Sequence, residues 1–130
     1  MDWNFLLGQG SRFGLAMVLA AVIAYFCGCF NGAVIVSKYI LRDDVRTHGS
    51  GNAGLTNFLR TFGGPWTAVV ILTDVIKAVV AVLIGMVLFR HLLVDERLVV
   101  AMGKYWAGMF CLIGHMFPCM FHFKGGKGIL

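Results

Sequence analysis

Phe13-Gly14-Leu15-Ala16-Met17-Val18-Leu19-Ala20-Ala21-Val22-Ile23-Ala24-Tyr25-Phe26-Cys27-Gly28-Cys29-Phe30-Asn31-Gly32-Ala33-Val34-Ile35-Val36-Ser37 runs for 25 residues without an Asp, Glu, Lys or Arg. A helix needs about 20 predominantly apolar residues to cross a bilayer, so this stretch predicts a first transmembrane span, over about 13–41. A secretory leader has an apolar core of only about 7 to 15 residues, and this segment is therefore expected to stay in the mature protein. A second run, Pro65 to Phe89, opens on Gly63-Gly64-Pro65 and is interrupted only by Asp74 and Lys77. A third span is expected over about 104–122, with Lys104, Tyr105 and Trp106 as interfacial anchors at its start. The fold class is thus all-α: a polytopic membrane protein with three transmembrane helices and two glycine-rich loops, residues 1–130 forming a single integral-membrane domain.

Composition agrees with embedding. The chain is 59% hydrophobic and 13% charged, where soluble domains carry about 25% charge. Its net charge of +5 does not indicate nucleic acid, because the basic residues are scattered between apolar runs; membrane lipids with anionic headgroups are the expected surroundings. The cysteines Cys27, Cys29, Cys111 and Cys119 form no Cys-x-x-Cys pair. Apolar packing is their expected role, with no metal and no cofactor.

Three spans put the loop from Arg42 to Gly64 and the tail after Phe123 on one side, with Met1 and the Arg90 to Arg97 linker on the other. Arg42, Arg46, Arg60, Lys124 and Lys127 face Arg12, Arg90 and Arg97 across the membrane, five against three. The positive-inside tendency then places both glycine-rich segments in the cytoplasm.

The first of these segments contains Gly49-Ser50-Gly51-Asn52-Ala53-Gly54-Leu55-Thr56-Asn57-Phe58-Leu59-Arg60. Its literal G-x-G-x-x-G lacks the strand and βαβ unit that a dinucleotide site requires. The glycines still permit close backbone approach to a ligand, ahead of a helix expected near Thr56. On that helix Thr56, Asn57 and Arg60 share a face, Ser50 and Asn52 add polar groups, and Arg60 offers a fork for phosphate. A solvated turn with a helix cap is the plainer alternative.

The second is Gly114-His115-Met116-Phe117-Pro118 followed by Phe123-Lys124-Gly125-Gly126-Lys127-Gly128. Glycine amides and two lysines suit an anionic, phosphate-bearing ligand. No Ser or Thr follows Lys127, so the tail is not a Walker A loop. His115 could move a proton or hydrogen-bond a reacting oxygen; on periodicity alone a structural histidine is the preferred reading. Asp74 and Lys77, charged residues inside an apolar span, either face a polar cavity or simply pair with each other.

Taken together, the two glycine motifs, the Asp74 to Lys77 pair and Gly114-His115-Met116-Phe117-Pro118 resemble the bacterial acyl-phosphate:glycerol-3-phosphate acyltransferases, the PlsY family, over roughly residues 25–130. The resemblance implies an inner-membrane enzyme of phospholipid synthesis that moves a fatty acyl group from acyl phosphate to glycerol 3-phosphate, giving lysophosphatidic acid. Carried over by motif, Ser50, Arg60, His115 and Lys124 are the implied catalytic residues. Gly49, Gly51, Asn52, Gly54, Thr56, Asn57, Asp74, Lys77, Gly125, Gly126, Lys127 and Gly128 are the implied substrate-binding ones. Gly28-Cys29-Phe30-Asn31-Gly32 stands where the family often has a Gly-Ser-Ile-Pro-like stretch, an alteration expected to change a helix kink more than chemistry. Family members continue past the second motif into further spans and a third cytoplasmic motif, so a chain stopping at Leu130 is expected to be a truncated fragment. A small anion carrier or channel subunit, with Asp74 and Lys77 lining its path, is the rival reading.

Overall fold

A computed structural model describes residues 3–93 and 96–128, with side chains from residue 8 onward. Met1, Leu130 and the centre of the expected 90–97 linker, residues 94 and 95, lie outside the described residues. The helices are α1 (Trp3–Cys29), α2 (Gly32–Ile35, continued by a π-helical turn over Val36–Ile40), α3 (Leu55–Thr61), α4 (Trp66–Leu92) and α5 (Arg97–Met116). Short 3-10 turns cover Val45–Thr47 and Cys119–Phe121, and no strand occurs among the described residues. Three segments, Gly8–Ile40, Trp66–Leu92 and Arg97–Phe121, are long and apolar enough to cross a membrane. The chain is an all-α, multi-pass integral membrane protein. In hydrocarbon the backbone must satisfy its own hydrogen bonds, and uninterrupted helices do so.

The first span is not the unbroken rod its composition predicts. It breaks at Phe30 and Asn31, where the wholly buried Asn31 side chain accepts from Val34 N at 3.1 Å and donates to Ala53 O at 3.0 Å. One amide thus caps α2 and ties the break to the first glycine loop. Gly63 and Gly64 turn the chain with φ of +58° and +63°, and Pro65 sits at the N-cap of α4. The third helix starts at Arg97, two turns earlier than expected. Trp106 consequently lies within the bundle and donates to Met17 O at 2.9 Å, an internal partner that replaces the expected headgroup contact.

Small residues hold the three long helices together. Ala16, Ala20 and Ala24, one turn apart on α1, are fully buried. Gly28 of α1 lies against Cys111 and Gly114 of α5, and Gly114 against Tyr25, so closely that a Cβ on either would strike the opposite backbone. Gly85 of α4 and Gly103 of α5 meet in the same way. Larger side chains such as Leu15, Val18, Leu72, Val79 and Leu83 face outward. In lipid, where burying apolar area gains little, close backbone approach supplies the attraction instead. Gly103→Leu overpacks the α4–α5 contact at a cost of about 1–3 kcal/mol. Thermal unfolding in detergent is expected to shift down by several degrees, while Gly108→Ala, with only Val82 nearby at 3.9 Å, leaves the midpoint in place.

Candidate active site

The first glycine loop is folded around one side chain. Asn57 Oδ1 accepts from Ser50 N at 3.2 Å, and its Nδ2 donates to Val45 O, His48 O and Asn52 O at 3.0, 3.0 and 3.1 Å. Only 5% of the residue is exposed, so the Asn57 amide is occupied in shaping the loop. Gly49 and Gly51 take φ of +53° and +70°, and a Cβ on Gly49 would run into Asn57 Oδ1. Glycine at these positions lets the loop wrap its organising amide. Beneath it, Val34, Val45, Ala53, Phe58 and Phe121 form a buried apolar floor shared with the tail.

Arg46 clasps the two loops together. Its guanidinium forks onto Asp44, Nε to Oδ1 at 3.0 Å and Nη2 to Oδ2 at 2.7 Å, while Nη1 donates to Phe121 O at 2.9 Å and Lys124 O at 3.4 Å. This hydrogen-bonded guanidinium holds the Asp44 carboxyl below the usual carboxylate range despite partial burial. The same pairing raises Arg46 above its ordinary value. A backbone bond from Ala53 N to Gly125 O at 3.3 Å completes the junction. The segments around Ser50 and Lys127 therefore lie at the same end of the bundle.

α5 stops at Met116, and the chain reverses through Pro118 and the 3-10 turn to lay the tail back over His115. Gly125 N and Gly126 N donate to Met116 O and His115 O at 3.2 and 3.1 Å. A Cβ on Gly126 would strike His115 Nε2, and one on Gly125 would strike the His115 carbonyl. Glycine is what permits this cover.

Beneath the tail, Lys77 Nζ lies 2.9 Å from His115 Nδ1, 2.9 Å from Phe30 O and 2.6 Å from Asp74 Oδ1. The Asp74 contact is electrostatic: Oδ1 is buried, yet no donor is aligned on it. Sequence left open whether Asp74 and Lys77 pair or face a cavity, and they do both. An ammonium only donates, so His115 Nδ1 is assigned as the acceptor and Nε2 as the protonated nitrogen, turned towards Gly126.

Two cavities meet here. The first, about 730 Å³, is lined by His48, Gly49, Ser50, Asn52, Thr56, Asn57, Arg60, Thr61 and Lys127. The second, about 640 Å³, runs between α4 and α5 along Ile71, Val75, Val79, Val82, Gly108 and Leu112. It ends at Asp74, Lys77, His115, Gly54, Lys127 and Gly128. Lys127 lines both. Lys124, expected beside it, has an exposed side chain that lines neither, and its carbonyl serves Arg46. Gly51, Gly125 and Gly126 shape the loops from behind.

A polar cup joined through one lysine to an apolar slot is suited to a phosphate-bearing polar molecule beside a lipid chain. The sequence profile of the glycerol-3-phosphate acyltransferase family matches residues 18–130. The chain belongs to this family. Among glycerol-3-phosphate acyltransferases, one from Thermoanaerobacter pseudethanolicus is 45% identical over 112 residues, 86% of this chain and 52% of that protein. One from Neisseria meningitidis serogroup C is 42% identical over 86% of this chain and 54% of its own length. A crystal structure of PlsY, described as an integral membrane glycerol 3-phosphate acyltransferase in its glycerol 3-phosphate form, superposes with a TM-score of 0.69 at 31% identity. It covers 87% of this chain and 52% of PlsY. The chain spans about half the length of the curated relatives it matches.

Three residues of the site carried no assigned role in the sequence. Arg46 counted only as a loop charge, although Asp44-x-Arg46 already places opposite charges two residues apart. Asn31 was a polar residue in an apolar run. His48, in reach of Asp43 Oδ1 at 2.7 Å and edge-on to Phe62, stands in the wall of the polar cavity.

Proposed function

We propose that this chain carries the substrate-binding part of an acyl-phosphate:glycerol-3-phosphate acyltransferase, a single integral-membrane domain of the inner membrane with both glycine loops facing the cytoplasm. The loop and tail cations, which outnumber those at the other end, support that orientation. Lys127 carries the proposal, because it stands where the polar cavity and the apolar slot touch. Glycerol 3-phosphate occupies the polar cavity, with its phosphate against Arg60 and Ser50. Acyl phosphate lays its chain along α4 and α5 and presents its phosphate to Lys127, beside Gly128 at the end of the slot.

The acceptor hydroxyl oxygen then bonds to the acyl carbonyl carbon as the bond from that carbon to the phosphate oxygen breaks. Lysophosphatidic acid and phosphate are the products. A mixed anhydride has a good leaving group, so positioning and charge neutralisation supply most of the rate. A substrate phosphate oxygen takes the hydroxyl proton, and His115 hydrogen-bonds the reacting oxygens.

The test uses membrane vesicles containing the protein and radiolabelled glycerol 3-phosphate. Label is expected in extractable lipid when acyl phosphate is supplied and not when acyl-CoA is supplied. Uptake of label into the vesicle lumen without acylation overturns the proposal in favour of an anion carrier.

A further inference from the structure

Cys29 and Cys119, separated by 90 residues, bring their sulfurs to 3.9 Å. Cys29 is wholly buried at the end of α1, whereas Cys119 is partly exposed in the turn that carries the second glycine loop. The same two elements are already joined by the Tyr25 hydroxyl, which donates to Phe117 O at 2.8 Å. A disulfide needs about 2.05 Å between sulfurs, so the two must close by roughly 1.9 Å to bond. The other two cysteines, Cys27 and Cys111, belong to a separate cluster with Ala24, Ala81 and Ala107.

We propose that Cys29 and Cys119 are a redox modification site, a dithiol that peroxide converts to a disulfide joining the end of α1 to the base of the second glycine loop. Cys119, the accessible member, is oxidised first: its thiolate takes one oxygen of hydrogen peroxide, giving a sulfenic acid and releasing hydroxide. The Cys29 thiolate then attacks the Cys119 sulfur, the S–S bond forms, the S–O bond breaks, and the oxygen leaves as water once protonated. Two thiols and one peroxide thus give one disulfide and two waters. A reducing cytosol keeps such a pair as thiols until oxidant rises, the setting in which intracellular disulfides act as sensors.

The protein in its native membranes is treated with hydrogen peroxide, its remaining thiols are alkylated, and a non-reduced digest is read by mass spectrometry. A linked peptide pair spanning Cys29 and Cys119 is expected in the unmodified protein and in Cys27→Ala/Cys111→Ala, and it disappears with dithiothreitol. Cys29→Ala and Cys119→Ala each abolish it. A link that persists in Cys29→Ala overturns the proposal. So does a Cys119 that ends as sulfenic or sulfinic acid with no linked peptide in the unmodified protein, a result that needs no variant to fold.

Discussion

On the proposed acyl-transfer function, Lys77→Met is expected to lower kcat by at least about 100-fold, while the KM values for both proposed substrates change by far less. Lys77 donates to His115 Nδ1 and to Phe30 O, and it is the cation beside Asp74. Methionine keeps the stem and removes all three contacts. The ring is then free to put its proton on Nδ1, which takes the N–H away from Nε2 beneath the tail. Losing a single donor to a reacting oxygen costs roughly 10²–10³ in rate. A histidine acting as base through Nε2 needs that nitrogen unprotonated, so the Nδ1–H tautomer released by Lys77→Met would not slow it. A fall of this size therefore supports hydrogen bonding by His115 over proton abstraction by it.

Stability moves too, because Asp74 is left without a cation in an apolar span. Breaking a fully buried pair in this way costs about 3–5 kcal/mol, and this part-buried one is expected to cost less. Asp74→Asn/Lys77→Met is therefore expected to recover thermal stability in detergent without recovering kcat. Steady-state kinetics on equal amounts of membrane-inserted protein check both statements. A Lys77→Met enzyme with more than about a third of the wild-type kcat rules out the tautomer role, whatever its stability.

The three spans were legible in the sequence because a bilayer forces the backbone to satisfy itself, and long apolar runs have few other solutions. The glycine loops were legible because glycine clusters bordering apolar runs have few other uses. What crosses between elements was not. Nothing in the spacing of α4 or α5 fixes the rotation that sets Lys77 against His115, 38 residues away. The break at Asn31 depends on a carbonyl 22 residues on, which a local pattern cannot report. The choice of Lys127 over Lys124 follows a reversal at His122 and Phe123, both with φ of 58° and neither a glycine. Chain direction there is set by the Pro118 carbonyl, which accepts from both Phe121 N and Phe123 N at 3.0 Å. Asn57 lines the polar cavity, yet its amide is taken up by its own loop, which its spacing from Thr56 and Arg60 does not reveal.

The clasp between the loops gives the second large effect, and it carries a pH signature. Arg46→Gln removes the fork on Asp44 and the bond to Phe121 O. Hydrogen bonds to charged groups are worth roughly 1.5–3 kcal/mol, so the preorganised junction weakens by an amount equivalent to about ten- to a hundredfold in kcat/KM. Ser50 and Lys127, which reach the polar cavity from different loops, no longer keep a fixed spacing, and on the proposed function the KM for glycerol 3-phosphate is expected to rise. Because the Arg46 hydrogen bond depresses the folded carboxyl, Asp44 stabilises the junction fully above the unfolded carboxylate value of about 3.9 and loses that contribution as pH falls through its lower folded value. Arg46 stays charged throughout and adds no step of its own. Trypsin cleavage at Lys124 and Lys127 after brief acid exposure and return to neutral pH would miss a reversible opening, so the readout is an amide exchange measurement at each pH. Protection of Ala53 N, bonded to Gly125 O, is expected to hold at pH 5 and to fall below about pH 4 in the unmodified protein. In Arg46→Gln the protection is already low at pH 5 and shows no acid step; an unchanged step in that variant would mean that Asp44 is not what the clasp depends on.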